Sequence, residues 1–222
     1  MDLSSQFHSG ASSVIDPAIA QDANNLAAER GLSSFDMRHR FTLSGVVELP
    51  FGAGKRFINH HGWQNKLAGG WSLSPILTLS SGVPYTVRDF TDPCIVSGPF
   101  ITSCRPNLLR NPNLPNKRTP ERWFDTTAFV RQSLGTFGNA GRNIIMGDGI
   151  QNVDLGLIKR VRFGDTLGNK SLEFRAEFFN LFNHPQFGAP DLDFSSPTFG
   201  RVFSIARGTT ERQIQLGLKL NW

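Results

Sequence analysis

Hydrophobic and polar residues alternate with a period of two in five stretches of the chain. These stretches cover residues 41–49, 71–79, 152–161, 172–178 and 213–222. Alternation over such lengths predicts β-strands with one apolar and one polar face. We therefore predict an all-β fold, an antiparallel meander of about five strands and no sustained helix. A shorter run at 201–206 is interpreted as an extension of a neighbouring strand. Pro75 lies on the apolar side of the second run and predicts an edge, a bulge or a distortion there.

The segments between the strands differ greatly in length. Residues 1–37 are small and polar and predict a loop with at most one helical turn. Residues 38–222 hold the five strands, and residues 82–150 form a long loop with seven prolines and glycine-rich turns. Such a loop is unusual inside a compact soluble domain but normal on the outer side of a membrane barrel. We treat residues 1–222 as a single segment.

Two environments explain strands with one apolar face. One is a β-sandwich, soluble or attached to a surface, that acts as a binding or interaction module. The other is a membrane barrel with lipid outside and water inside. The barrel is favoured because the strands have about the 9–11 residues needed to cross a bilayer and because the connections alternate short and long. Glu173, Arg175 and Glu177 also lie mid-strand on the polar face, where a lumen can solvate them. An exposed face at Ile214 and Leu216 would support the barrel, and a second sheet packed on it would support the sandwich.

Composition excludes several other classes. The chain has 222 residues, 39% of them hydrophobic, with no stretch of 18 apolar residues that could form a transmembrane helix. The first 20 residues show no export signal. Motifs for nucleotide binding, zinc hydrolysis or serine catalysis are missing, so we predict no enzyme, cofactor or metal site. The chain has a net charge of +5, and the basic residues of the long loop are dispersed instead of clustered on one element, which argues against a nucleic-acid reader.

Seven short motifs carry a family resemblance. They are DMRHRF at 36–41, LPFG at 49–52, GGW at 69–71, SGVPY at 81–85, FGNAGRN at 137–143, FRAEFFNLFNHP at 174–185 and RQIQL at 212–216, continuing to Trp222. In this order, over residues 28–222, they resemble the C-terminal end of Oar-like TonB-dependent outer-membrane receptors. The resemblance implies part of a large plugged barrel of roughly 22 strands, residing in the outer membrane of a Gram-negative cell and taking up a scarce ligand.

The resemblance also implies parts that the 222 residues do not contain. These are an N-terminal plug domain, a TonB-contacting segment and often a regulatory domain before the plug. We therefore expect a fragment that is not competent for transport alone. Its implied partners are outer-membrane lipid and lipopolysaccharide, the barrel-assembly machinery and the remainder of the receptor. Contact with TonB is expected only through the missing part.

The resemblance gives the strands an orientation. Residues 50–66 and the turn at 165–169 are expected in the periplasm, whereas 1–37, 82–150 and 184–211 face outward. Trp222 then ends the last strand and resembles the aromatic residue that the barrel-assembly machinery recognises. Trp222 is equally compatible with an aromatic belt at the membrane interface.

A few side chains are candidates for a special role. Cys94 and Cys104 lie ten residues apart in the outward loop and are interpreted as a disulfide, with two free thiols as the alternative. The lumen-facing Glu173, Arg175 and Glu177 are part of a permeation path or plug contact, or else a charge ladder that satisfies itself. The cations of the long loop are expected to contact lipopolysaccharide phosphates or anionic ligands at the cell surface, or else to be merely solvated. His60 and His61 are interpreted as surface turn residues, and His39 and His184 as structural. The cations of the long loop are Arg105, Arg110, Lys117, Arg118, Arg122, Arg131 and Arg142.

Overall fold

The chain divides into two compact units in a computed structural model. The structure describes residues 20–52, 54–58, 63–95, 104–114, 117–163, 170–206 and 208–222. One unit, here called the loop unit, comprises Met1–Arg38, Ser81–Gly149 and Gln186–Arg207. The other, here called the long sheet, comprises His39–Ser80, Ile150–Pro185 and Gly208–Trp222.

The described elements are almost all strands. In chain order they are β1 (Arg40–Ser44), β2 (Val47–Glu48), the helix α1 (Trp63–Ala68), β3 (Trp71–Ser80), β4 (Pro84–Tyr85), β5 (Asn107–Leu108), β6 (Phe129–Val130), β7 (Ile145–Met146), β8 (Ile150–Arg162), β9 (Ser171–Phe179) and β10 (Gln213–Asn221). The long sheet has the order β1–β3–β8–β9–β10, with β2 also paired to β3, and every pairing is antiparallel. The predicted all-β antiparallel fold is confirmed.

The five alternating runs correspond to the strands of the long sheet. The first run is divided into β1 and β2, which share one register on β3. The run at 201–206 is not a strand, because among the described residues its one ladder contact is an isolated bridge between Ile205 and Phe187. That interpretation was wrong because the segment belongs to the loop unit and has no continuous partner there.

Pro75 explains why β1 and β2 are separate. The Gly45 N–H donates to the Pro75 carbonyl at 3.3 Å, so Pro75 directs its hydrogen-bonding side toward the first strand. Proline has no N–H to return the second bond of this pair. The ladder is interrupted at Gly45 and Val46, whereas the pairing of β3 with β8 continues past Pro75. The predicted distortion at Pro75 is therefore confirmed.

The register gives the long sheet one apolar and one polar face. The apolar face is exposed: Ile214, Leu216 and Leu218 are 60%, 67% and 71% accessible, with no second sheet covering them among the described residues. From Trp71 to Leu79 this face runs about 26 Å along β3, or about 20 Å when tilted by roughly 40°. That height is comparable with the roughly 25 Å apolar band of a barrel wall.

The loop unit has its own aromatic core, which the sequence did not predict. Two small sheets, β4 with β7 and β5 with β6, frame it. The Phe124 ring meets the rings of Phe129 and Phe199 edge to face, with centroids 5.9 and 5.1 Å apart. Residues that the sequence predicted to be irregular loop thus form a buried hydrophobic cluster. Its members are Val87, Trp123, Phe124, Ala128, Phe129, Ala140, Ile145 and Val202.

Other predictions have different outcomes. The opening segment, as far as it is described, contains a single 3-10 turn at Leu26–Glu29, as predicted. The six-residue helix α1 was not predicted. The turn at 165–169 and the pair His60 and His61 lie outside the described residues. Among the described residues, no helix has the length and apolar character required to cross a membrane.

Candidate functional site

The polar face of the long sheet carries a connected row of ion pairs. Register places Arg160 opposite Glu173 on β9, and Lys219 opposite Glu173 on β10. The Arg160 guanidinium donates to Glu173 Oε2 from both Nη2, at 2.6 Å, and Nε, at 3.1 Å. Arg175 joins the row with its Nε 3.2 Å from Glu173 Oε1 and its Nη1 3.8 Å from Glu177 Oε1. The three charged residues singled out in the sequence therefore pair with one another.

An open cleft of about 550 Å³ lies beside this row. It occupies one end of the long sheet, here called the α1 end, where Glu48, Trp71, Arg162, Ser171 and Asn221 lie. Cations outnumber anions along its walls, so its field favours an anionic neighbour. The charged lining residues are Glu48, Lys55, Lys66, Arg160, Arg162, Glu173 and Arg175.

Lys159 is a charged residue on the apolar face and was not among the candidates predicted from the sequence. It faces Trp71 on β3 and Phe174 on β9, both apolar-face positions. Its Nζ donates to the carbonyls of Leu67 at 2.6 Å and Gly69 at 2.8 Å and lies 4.8 Å from the Trp71 ring centroid. A lysine at position 159 breaks the apolar alternation of β8, and this break could have identified Lys159 from the sequence.

Trp222 lies at the α1 end, immediately after β10. Its side chain is 91% exposed. Because Asn221 pairs with Ser171, Trp222 is near the same end of the sheet as Trp71 and Phe163. This position suits an interfacial aromatic residue and equally a terminal recognition signal. Tyr85, the single tyrosine, is instead half-buried in the loop unit, where burial and the charge of Asp148 raise its pKa.

A buried polar network fastens the opening segment to the loop unit. Arg105 forms a two-pronged ion pair with Glu29, with both N–O distances 2.8 Å. Gln21 closes the network: its backbone N–H donates to Glu29 Oε1 at 3.0 Å, and its Oε1 accepts from the Arg105 N–H at 2.7 Å. Burial by itself would raise the pKa of Glu29, but the hydrogen bond and charge of Arg105 hold it below its ordinary value.

Most of the loop cations are engaged within the loop unit. Arg110 and Arg122 both bind Asp125, at 2.7 and 3.0 Å. With the Thr127 hydroxyl as the largest contributor, followed by these two arginines, the pKa of Asp125 falls to about 2. Arg131 lies 3.1 Å from Asp89. These cations are therefore less available to external phosphates than their number in the sequence suggests.

Arg118 makes a further internal contact of this kind. Its Nη1 donates to the Gly147 carbonyl at 3.1 Å, and its guanidinium lies 5.3 Å from the Trp123 ring centroid. Burial lowers the pKa of Arg118, although the charge of Asp148 opposes that effect.

The family-like motifs mark packing and turn positions. In FGNAGRN, a Cβ on Gly138 would clash with the backbone of Arg105 and Pro106, so only glycine fits. The following residue, Asn139, accepts the Leu108 N–H at 2.6 Å and donates its own N–H to Asn107 Oδ1 at 3.0 Å. These contacts order the β5 region.

The NLFNHP motif organises the end of β9. Asn180 has a positive φ of 48° and donates to the carbonyls of His184 at 3.1 Å and Thr210 at 3.0 Å. The backbone N–H of His184 returns a bond to Asn180 Oδ1 at 2.9 Å. His184 thus takes part in this turn through its main chain.

Cys94 and Cys104 are joined by a disulfide in the structure, with their Cα atoms 6.1 Å apart. Gln132 Nε2 donates to Cys94 Sγ at 3.6 Å. The bond links two segments of the loop unit. Across the described part of the chain, no three His, Cys, Asp or Glu side chains are grouped as metal ligands would be.

Long antiparallel strands with an exposed apolar face and an ion-paired polar face define the class of protein: a β-sheet wall that crosses a membrane. A family model described as outer membrane beta barrel domain matches residues 1–215. The chain therefore belongs to the outer membrane beta barrel domain family, and its location is the outer membrane. Comparisons with curated proteins and with solved structures gave no match.

Proposed function

We propose that the chain is a wall segment of a TonB-dependent receptor that takes up a scarce ligand. The observation that carries the proposal is the folded loop unit: residues that connect membrane strands bury a core of eight side chains. A preorganised surface of this kind suits the capture of a specific ligand, because ordering costs are met before binding. The motif order of the sequence agrees with the Oar-like type. Nothing in this role requires catalysis, and we propose none.

Strand parity supports a wall that other strands complete. Four successive antiparallel pairings connect β1 to β10, so these two edge strands run in the same direction. Joining β10 directly to β1 of the same chain or a second copy would create a parallel pair. An all-antiparallel barrel therefore needs an odd number of further strands. Open edges in lipid cost several kcal/mol per unpaired backbone group, which makes such completion necessary.

The proposed orientation places the loop unit outside the cell and the α1 end in the periplasm. The row formed by Arg160, Glu173 and Arg175 then faces the lumen. Their mutual pairing favours a self-satisfied ladder over a row of free charges lining a permeation path. Trp222 is proposed as the terminal signal for the barrel-assembly machinery, and lipopolysaccharide as a neighbour of the loop unit.

The genomic sequence upstream of Met1 tests the segment proposal. An in-frame continuation that encodes further strands and a plug supports it, and the encoded receptor should bind the C-terminal domain of TonB in a pull-down. A stop codon preceded by a functional promoter contradicts it. So does a stable, discrete conductance from the 222-residue chain alone in planar bilayers, since five strands should not close a pore.

A further inference from the structure

An apolar groove of about 350 Å³ opens at the α1 end of the long sheet. Trp71 and Leu157 belong to the apolar face, because both share the register side of Leu73 and Leu155. The groove is therefore continuous with the surface that meets lipid. Its lining residues are Leu49, Phe51, Ile58, Ala68, Trp71 and Leu157.

The helix α1 lies at the boundary between the two faces. Ala68 lines the apolar groove and Lys66 lines the charged cleft, and the two cavities adjoin because Leu49, Phe51 and Trp71 line both. The helix is held in place because its Leu67 carbonyl accepts from Trp71 Nε1 at 3.0 Å and from Lys159 Nζ at 2.6 Å. Despite this fixed position, Trp63 and Leu67 are 70% and 63% exposed. Apolar side chains presented in this way fit an interfacial helix.

The surrounding connection is basic. Residues 50–70 contain Lys55, Arg56 and Lys66 and no acidic residue. Glu48 neutralises Lys55 at 2.6 Å. Arg56 lies 5.5 Å from the Phe57 ring centroid, and neither Arg56 nor Lys66 forms an ion pair among the described residues. Two cations therefore remain beside an aromatic, apolar surface.

We propose that the α1 end binds a membrane phospholipid with an anionic headgroup. One acyl chain occupies the groove beside Trp71 and Leu157, and the headgroup phosphate lies near Arg56 and Lys66. Aromatic rings and cations at the end of a lipid-facing surface are the groups that recognise the headgroup layer. The inference rests on the membrane location of the long sheet and is independent of the transport proposal.

Lipid selectivity of the complete barrel that contains this chain, reconstituted in nanodiscs, tests the headgroup assignment. Spin-labelled phosphatidylglycerol and phosphatidylcholine report the relative association constants of the two lipids. The Arg56→Gln/Lys66→Gln variant should lose the preference for phosphatidylglycerol by about fivefold or more, since each cation near an anionic membrane contributes about that factor. The matched control Lys117→Gln/Arg201→Gln removes two exposed cations from the loop unit and should leave the preference unchanged. Retained preference in the first variant, or equal loss in both, overturns the proposal.

The groove and the exposed side of α1 have separate tests that do not depend on charge. Ala68→Trp should fill it and weaken binding of both labelled lipids, while their ratio stays the same. In the unmodified chain, brominated acyl chains should quench the emission of Trp63, measured as the difference from a Trp63→Phe variant. Unquenched Trp63 emission means that this surface meets water or protein instead of lipid and overturns the proposal.

Discussion

Replacing Glu29 with glutamine should destabilise the loop unit far more than the loss of any surface ion pair. The Glu29 and Arg105 side chains are 6% and 4% exposed. The Arg105 guanidinium donates to both carboxylate oxygens of Glu29 at 2.8 Å, and the substitution removes the balancing charge and one of these acceptors while the guanidinium stays buried. Breaking one partner of a buried pair costs about 3–5 kcal/mol, because an uncompensated charge remains. An exposed pair is worth about 1 kcal/mol or less.

A comparison of three variants separates the buried charge from the lost packing. Glu29→Gln alone should lower the free energy of unfolding of the loop unit by about 3–5 kcal/mol. Glu29→Met/Arg105→Met removes both charges at similar volume and should cost less than the single change. Arg110→Gln, at a half-exposed arginine, is the surface control and should cost about 1 kcal/mol or less.

Hydrogen exchange measured by mass spectrometry gives the required local readout. Protection of the backbone amides around Arg105 should fall in Glu29→Gln and recover in the double variant, while the amides of β9 remain unchanged as an internal reference. If Glu29→Gln costs no more than Arg110→Gln, or if Glu29→Met/Arg105→Met costs as much as Glu29→Gln or more, the pair is not a buried, coupled unit. Either result would refute the reasoning.

Three further outcomes are expected. Phe124→Ala should destabilise the loop unit by about 3–5 kcal/mol and make it sensitive to limited proteolysis, because the side chain is fully buried. The pKa of Asp125 is about 2, below its ordinary value of 3.8. The contribution of this carboxylate to the stability of the loop unit is therefore complete above pH 3.8 and is lost as the pH falls toward 2. In acid titrations followed by Trp123 fluorescence, Asp125→Asn should lose less stability than the parent across this window. Mass mapping without reduction should find Cys94 linked to Cys104, and Cys94→Ser should destabilise the loop unit by about 2–3 kcal/mol; two free thiols in surface-exposed protein would reject the link.

The engaged arginines change how the charge of the chain is understood. A pI near 9.7 and seven loop cations suggest a surface that attracts phosphates. In the structure, Arg105, Arg110, Arg122 and Arg131 instead hold the loop unit together through Glu29, Asp125 and Asp89. The basic residues at the α1 end are fewer, but they are the better candidates for binding an anionic partner.

The sequence by itself determined the long sheet. A period of two exposes every second side chain to one environment, so runs such as 172–178 and 213–222 identified strands and their two faces. Strand lengths, the alternation of short and long connections and the family resemblance then favoured the membrane barrel over the sandwich. The face of Glu173, Arg175 and Glu177 followed from the same parity. The distortion of the strand pairing at Pro75 was predictable from the sequence, because the missing N–H is a property of proline itself.

Only the tertiary structure decided the loop unit and the α1 end. The core around Phe124 joins residues from 85 to 202, and such distant pairings leave no periodic signal in a proline-rich segment. The partner of Arg105 lies 76 positions away at Glu29. Lys159 interrupts an otherwise apolar face, and its role depends on the carbonyls of Leu67 and Gly69, which come close only after β3 and β8 pair. Alternation is a local property of the sequence, whereas contacts between distant segments form only when the chain folds.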